Sequence, residues 1–178
     1  AWLVLDLGRR LFQSELAARL GLLLLAVYPN SIGYVPLALT EVFYTTLLLA
    51  VAWLLVARRG ALPFVAAGLV LGLATLVKAQ TLVVVPLILG IGLLREDNFW
   101  RRVPQAALRC AALVALAALV VAPWTVRNHR ELGAWVAVST NGGITLLTGN
   151  NDSANGGFTP DDPLVKALDA RTGLNEME

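Results

Sequence analysis

Between Gly21 and Val56 the chain carries a single charged residue, Glu41. As one helix these roughly 36 residues would reach about 54 Å, against a bilayer hydrocarbon core of about 30 Å. Two crossings fit the run better than one, and a break must separate them. Tyr28-Pro29-Asn30-Ser31, extending toward Pro36, is the place for it. Proline removes a backbone donor, and the residue before it resists helix. A soluble core is a poor home for such a run. Hydrophobic residues make up 57% of the chain and mean hydropathy is +0.70; only 15% of residues are charged, against about 25% in a soluble domain.

The same argument applies from Pro63 to Leu94, where Lys78 is the one charge. The arginines punctuate the apolar runs: Arg9, Arg10 and Arg19, then Arg58 and Arg59, then Arg95, Arg101, Arg102 and Arg109. Positive residues collect on the cytoplasmic side, so an even number of crossings should separate successive clusters. That favours two short helices meeting at the outer surface around Lys78 over one tilted helix. A last apolar run, Ala106 to Ala122, leads outward to Pro123-Trp124. The expected fold class is all-α: a polytopic transmembrane helical bundle of about six helices over 1–123, followed by an extracytoplasmic, loop-rich segment over 124–178. Asn30, Gln80 and Asn150 then lie outside, and Arg59 and Asn98 inside. Tyr28, Trp124 and Trp135 suit the membrane interface or packing between helices.

The opening run Ala1-Trp2-Leu3-Val4-Leu5 lacks the charged start of a signal peptide, which suggests a fragment with further helices before it and more chain after it. Cys110 sits in an Ala/Leu run with no second cysteine to pair with. Beyond Trp124, Val136–Thr140 could form a short strand, and Asn141-Gly142-Gly143 and 149–157 read as Gly/Asn turns. Asn151-Asp152-Ser153 fits a glycosylation acceptor, but the Arg-over-Lys usage and Ala/Leu richness look bacterial. The partial calcium-loop pattern from Asn151 to Asp162 lacks its first acidic ligand and is interrupted by Pro160.

Few residues are left to carry chemistry. Glu41 is an ionisable group at a membrane boundary, which is costly enough to suggest function; a first-turn residue suiting the helix dipole is the plainer reading. Lys78 should seek an anion such as a phosphate, or else snorkel to the headgroups. Arg127, Asn128, His129 and Arg130 follow the last helix on the outer side, where positive-inside bias disfavours arginine. Anion binding or headgroup anchoring would explain them. No nucleic-acid partner is expected.

Tyr28-Pro29, Thr40-Glu41-Val42-Phe43, Gly72–Lys78, and above all Ala122-Pro123-Trp124-Thr125-Val126-Arg127-Asn128-His129 through Ser139–Gly143 and Gly149-Asn150-Asn151 resemble glycosyltransferase family 39. Its members include relatives of protein O-mannosyltransferases and of the lipid A aminoarabinose transferase. The likeness covers most of the chain, and its Pro-Trp to Asn-Asn region is the most specific part. It implies a multi-pass enzyme of the bacterial cytoplasmic membrane, moving a sugar from a polyprenyl-phosphate-linked donor to a lipid, glycan or protein acceptor at the outer face. The main catalytic acid of the family lies in an outer loop upstream of these residues. Glu41 resembles a second acidic position, where many relatives carry Asp, and is the candidate catalytic or metal-binding residue here. Lys78, Gln80, Arg127, Asn128, His129 and Asn150 are the candidate substrate-binding residues. A divalent ion is compatible with Glu41 but required by nothing in the sequence. A secondary transporter or flippase, or a non-enzymatic assembly subunit, would also use broken helices and boundary charges. An acidic pair in the first outer loop would separate the transferase from these.

Overall fold

The computed structural model describes residues 1–34, 40–57, 60–81, 99–140, 145–146 and 149–150. Its helices are α1 (Trp2–Phe12), α2 (Glu15–Val27), α3 (Pro29–Tyr34), α4 (Thr40–Ala57), α5 (Ala61–Val77) and α6 (Phe99–Leu132). No strand occurs among the described residues, in agreement with the all-α expectation. The chain divides into two compact units, Ala1–Val138, which holds these helices, and Ser139–Glu178.

Gln13 ends α1 in the left-handed region, and Ser14 caps α2 by accepting from the Ala17 amide at 3.3 Å. Gly8 lies directly against Ala18, so the two helices cross closely. Their turn is stitched by charge. Arg9 and Arg19 both donate to the Glu15 carboxylate, and Arg10 and the Trp53 indole both donate to Asp6. The Trp53 bond ties α1 to α4. Helix α2 stops at Tyr28, which adopts an extended conformation before Pro29, where the sequence requires its break. The extension of that break to Pro36, and the second short helix expected after Lys78, lie outside the described residues.

Helices α5 and α6 pack through small residues. A Cβ on Gly68 would stand 2.5 Å from the Leu116 Cβ, and one on Gly72 would stand 2.6 Å from the Val120 Cβ and 2.8 Å from the Ala117 carbonyl oxygen. Only glycine allows this approach, the device by which helices associate in lipid, where van der Waals contact must replace the hydrophobic effect. Gly68 meets Leu116, and one turn later on both helices Gly72 meets Val120, so α5 and α6 run parallel. Their N-terminal ends, with Arg101 on α6, share one side. Val51, Ala67, Leu71, Leu113 and Ala117 form the core, flanked by Leu54, Leu55, Phe64, Val70 and Cys110.

Two described helical stretches are long and apolar enough to cross a membrane, Thr40–Ala57 and Val103–Leu132; Ala61–Val77 is apolar but shorter. In α4 only Val51 is buried. Leu108 and Leu119 on α6 are 71% and 67% exposed. Helices apolar on nearly every side bury so little of it here that lipid is the natural cover. Their hydroxyls are satisfied internally. Thr45, Thr46 and Thr75 donate to the carbonyls of Glu41, Val42 and Leu71, so these three hydroxyls need not face lipid unpaired.

Two sequence expectations are corrected beyond α5. The last helix does not stop at Pro123-Trp124 but continues to Leu132. Proline removes only its own amide from the ladder, and α6 instead ends where Gly133 takes φ 71° and its amide bonds to the His129 carbonyl at 3.0 Å. The strand proposed for Val136–Thr140 does not form. Its carbonyls bond side chains of α6 rather than another strand.

Candidate functional site

Helices α4 and α5 pack as a hairpin, with the first turn of α4 beside the end of α5. Glu41 and Lys78 meet there. Lys78 Nζ donates to Glu41 Oε1 at 2.9 Å, with the two side chains 26% and 39% exposed. The ammonium turns onto a carboxylate of its own chain rather than extending along the helix surface. Glu41 Oε2 is buried and has no partner among the described residues.

The position of Lys78 follows from how α5 ends. Lys78 adopts φ −142° and ψ 112°, its amide bonded to the Ala74 carbonyl at 2.9 Å, so the chain leaves the helix and directs the side chain toward α4. Thr81 is fully buried, and its Oγ1 lies 2.5 Å from the Lys78 carbonyl and 3.2 Å from the Ala74 carbonyl. The same oxygen is 3.2 Å from the Tyr44 hydroxyl. Tyr44 stands one turn beyond Glu41 on α4, and its ring centroid is 5.6 Å from the Lys78 ammonium. Carboxylate, cation, aromatic face and two hydroxyls thus converge at one end of the hairpin. Sequence reasoning missed Tyr44 and Thr81. Their signal was spacing: each lies three residues after a charged residue at the same boundary. Gln80 is exposed in the turn beyond Lys78.

A second group occupies the end of α6. Arg127 lies 4.9 Å from the Trp124 ring centroid, a cation–π distance. Asn128 is 5% exposed, and its Nδ2 donates to the carbonyls of Val136 at 3.1 Å and Val138 at 3.3 Å. The Trp124 indole donates to the Val138 carbonyl and the Thr125 hydroxyl to that of Ala137. The segment after α6 is therefore strapped back onto its last turns. His129 stacks on Trp135 with centroids 4.0 Å apart and planes at 5°, and its Nδ1 is buried without a partner among the described residues. Extending the Gly68–Leu116 and Gly72–Val120 register along both helices brings Arg127 close to the level of Lys78. Asn150 belongs to the second unit, where its amide donates to the Leu146 carbonyl at 3.0 Å.

Chemically, the hairpin end can present an ammonium to an anion while a carboxylate holds it, and the end of α6 separately presents a guanidinium stacked on Trp124. Among the described residues no three His, Cys, Asp or Glu side chains come together to hold a metal ion. No family profile, no curated protein and no solved structure matches the chain.

Proposed function

We propose that these residues belong to a multi-pass glycosyltransferase of the bacterial inner membrane that takes a sugar from a polyprenyl-phosphate donor and gives it to an acceptor at the outer face. The observation that carries the reading is the partly buried Glu41–Lys78 pair at a shared helix end. A cation held in place and still 26% exposed is suited to an anionic group arriving along the membrane surface. The resemblance in the Pro123–Trp124 to Asn150–Asn151 region supports the choice of reaction.

In this mechanism the acceptor hydroxyl attacks the anomeric carbon as a carboxylate base takes its proton. The bond from that carbon to the phosphate oxygen breaks, and its electron pair leaves with polyprenyl phosphate. Lys78, assisted by Arg127, stabilises the charge gathering on the phosphate, and Glu41 fixes Lys78 through Oε1.

The test is transfer from a labelled polyprenyl-phosphate sugar by the full-length protein, with protein levels checked in parallel. Lys78→Ala removes a charge-assisted hydrogen bond and should lower transfer about 10- to 100-fold. Lys78→Arg should keep part of the activity, since the charge survives but the point-like geometry does not. Near-wild-type turnover in Lys78→Ala would sink the phosphate role and leave headgroup anchoring.

A further inference from the structure

Lys78 has three N–H donors and only one is taken by Glu41. What orients the other two is Tyr44. Its ring sits at a cation–π distance from the ammonium, 5.6 Å, on the same helix face as Glu41. A tyrosine ring on a membrane-boundary helix would ordinarily be free to turn to the interface. This one is pinned at its far end, because its hydroxyl lies 3.2 Å from the Oγ1 of Thr81, a side chain with no exposed surface. Thr81 has one hydroxyl hydrogen, and its nearest acceptor is the Lys78 carbonyl at 2.5 Å. With that hydrogen committed, the phenol hydrogen of Tyr44 closes the contact to Thr81.

The result is a closed circuit. The backbone of Lys78 is bound by Thr81, Thr81 by Tyr44, and the Tyr44 ring lies under the ammonium at the tip of the Lys78 side chain. A lysine side chain has four rotatable bonds to lose, and fixing both its root and its tip before ligand arrives removes that cost from binding.

We propose that Tyr44, anchored by Thr81, is a positioning residue that sets the Lys78 ammonium for an incoming phosphate monoester or diester. This rests on the transferase reading above for the identity of the phosphate, but the positioning itself can be measured without it. Lys78 meets the donor phosphate before reaction as well as during it, so loss of its position should raise KM for the lipid-linked donor, with any fall in kcat coming on top of that rise.

The experiment has two arms, both on the full-length protein in lipid nanodiscs. In the first, Lys78 is labelled by reductive methylation with a carbon-13 reagent, and its rate of modification and its NMR shift are read. Tyr44→Leu should speed labelling and move the shift to that of a mobile lysine. Tyr44→Phe should produce a smaller change and Thr81→Val a larger one than Tyr44→Phe, because Thr81→Val also frees the Lys78 carbonyl. The two together should change no more than Thr81→Val alone, since the Tyr44 hydroxyl contact is already lost in it. In the second arm, Tyr44→Leu should raise the donor KM about three- to tenfold, as expected for losing a partly desolvated cation–π contact. In a Lys78→Ala background it should change nothing further. A lysine signal unchanged by Tyr44→Leu would overturn the positioning role. So would a shifted signal with an unmoved donor KM, if Lys78→Ala does raise that KM. If the wild-type protein transfers no sugar from the labelled donor, the transferase reading fails; if Lys78→Ala leaves transfer intact, the phosphate role of Lys78 fails. In either case the labelling arm still decides whether Tyr44 holds Lys78.

Discussion

Lys78 Nζ lies 2.9 Å from Glu41 Oε1 across 37 residues of chain, and the pair closes the end of the α4–α5 hairpin. Each partner makes the other tolerable at a partly buried helix end, where an unpaired charge is costly. Removing one charge therefore strands the other. Glu41→Gln should lower thermal stability in detergent, and Glu41→Gln with Lys78→Met should recover most of it, because the double variant strands nothing. The exchanged pair, Glu41→Lys with Lys78→Glu, should restore stability but not the proposed sugar transfer, since on that proposal a phosphate would then approach through a carboxylate. Transfer by the exchanged pair at the wild-type level would show that the pair only staples the hairpin.

The contact of Gly72 with Val120 makes the α5–α6 pair sensitive to a single methyl. Gly72→Ala places a Cβ within 2.6 Å of the Val120 Cβ and 2.8 Å of the Ala117 carbonyl, so the helices must move apart. A destabilisation of about 1–3 kcal/mol is expected, the range for overpacking. A Cβ added to Gly21 on α2 would meet nothing within 4 Å beyond its own helix among the described residues, so Gly21→Ala should be neutral or gain up to about 1 kcal/mol from helix propensity. Melting temperatures of the two variants, measured in the same detergent, should move in opposite directions or at least separate clearly.

Asn128 is buried and its amide serves two carbonyls, so Asn128→Ala should cost about 1–3 kcal/mol. The loss should be local. Hydrogen exchange should accelerate in Ala134–Val138 while the α5–α6 contact stays protected. Uniform acceleration along the chain would instead mean that Asn128 supports the whole bundle.

The Arg9 and Arg19 guanidinium groups beside Glu15 hold its carboxyl down to about 2, below its usual 4.5. A carboxyl with a depressed value in the folded chain adds stability above its unfolded value and loses it as pH falls toward the folded one. The α1–α2 turn should therefore keep its full contribution above about pH 4.5 and lose it progressively toward pH 2. Arg9→Gln should raise the Glu15 midpoint, as read by carbon-13 NMR of the labelled carboxyl. A midpoint unmoved by that change would mean Arg19 alone carries the effect.

What could be read from the residues alone was local. Apolar run length separates membrane-scale helices from soluble ones, Tyr28-Pro29 ends a helix by sterics, and isolated Glu41 and Lys78 stand out because charges in such runs are rare. Local signals also misled. The β-branched alternation of Val136–Thr140 suggested a strand, and Pro123 suggested a helix end, because propensity does not know which neighbours will supply hydrogen bonds. Tertiary structure decided those points: Trp124, Thr125 and Asn128 take the carbonyls that a strand would have offered to a partner strand. It also decided that Glu41 is the partner of Lys78 and that Tyr44 and Thr81 belong to the same site. A pairing over 37 residues depends on how the α4–α5 hairpin turns and on the register at which the helices pack. That register is set by steric fit, such as Gly72 against Val120, which no single stretch of sequence contains.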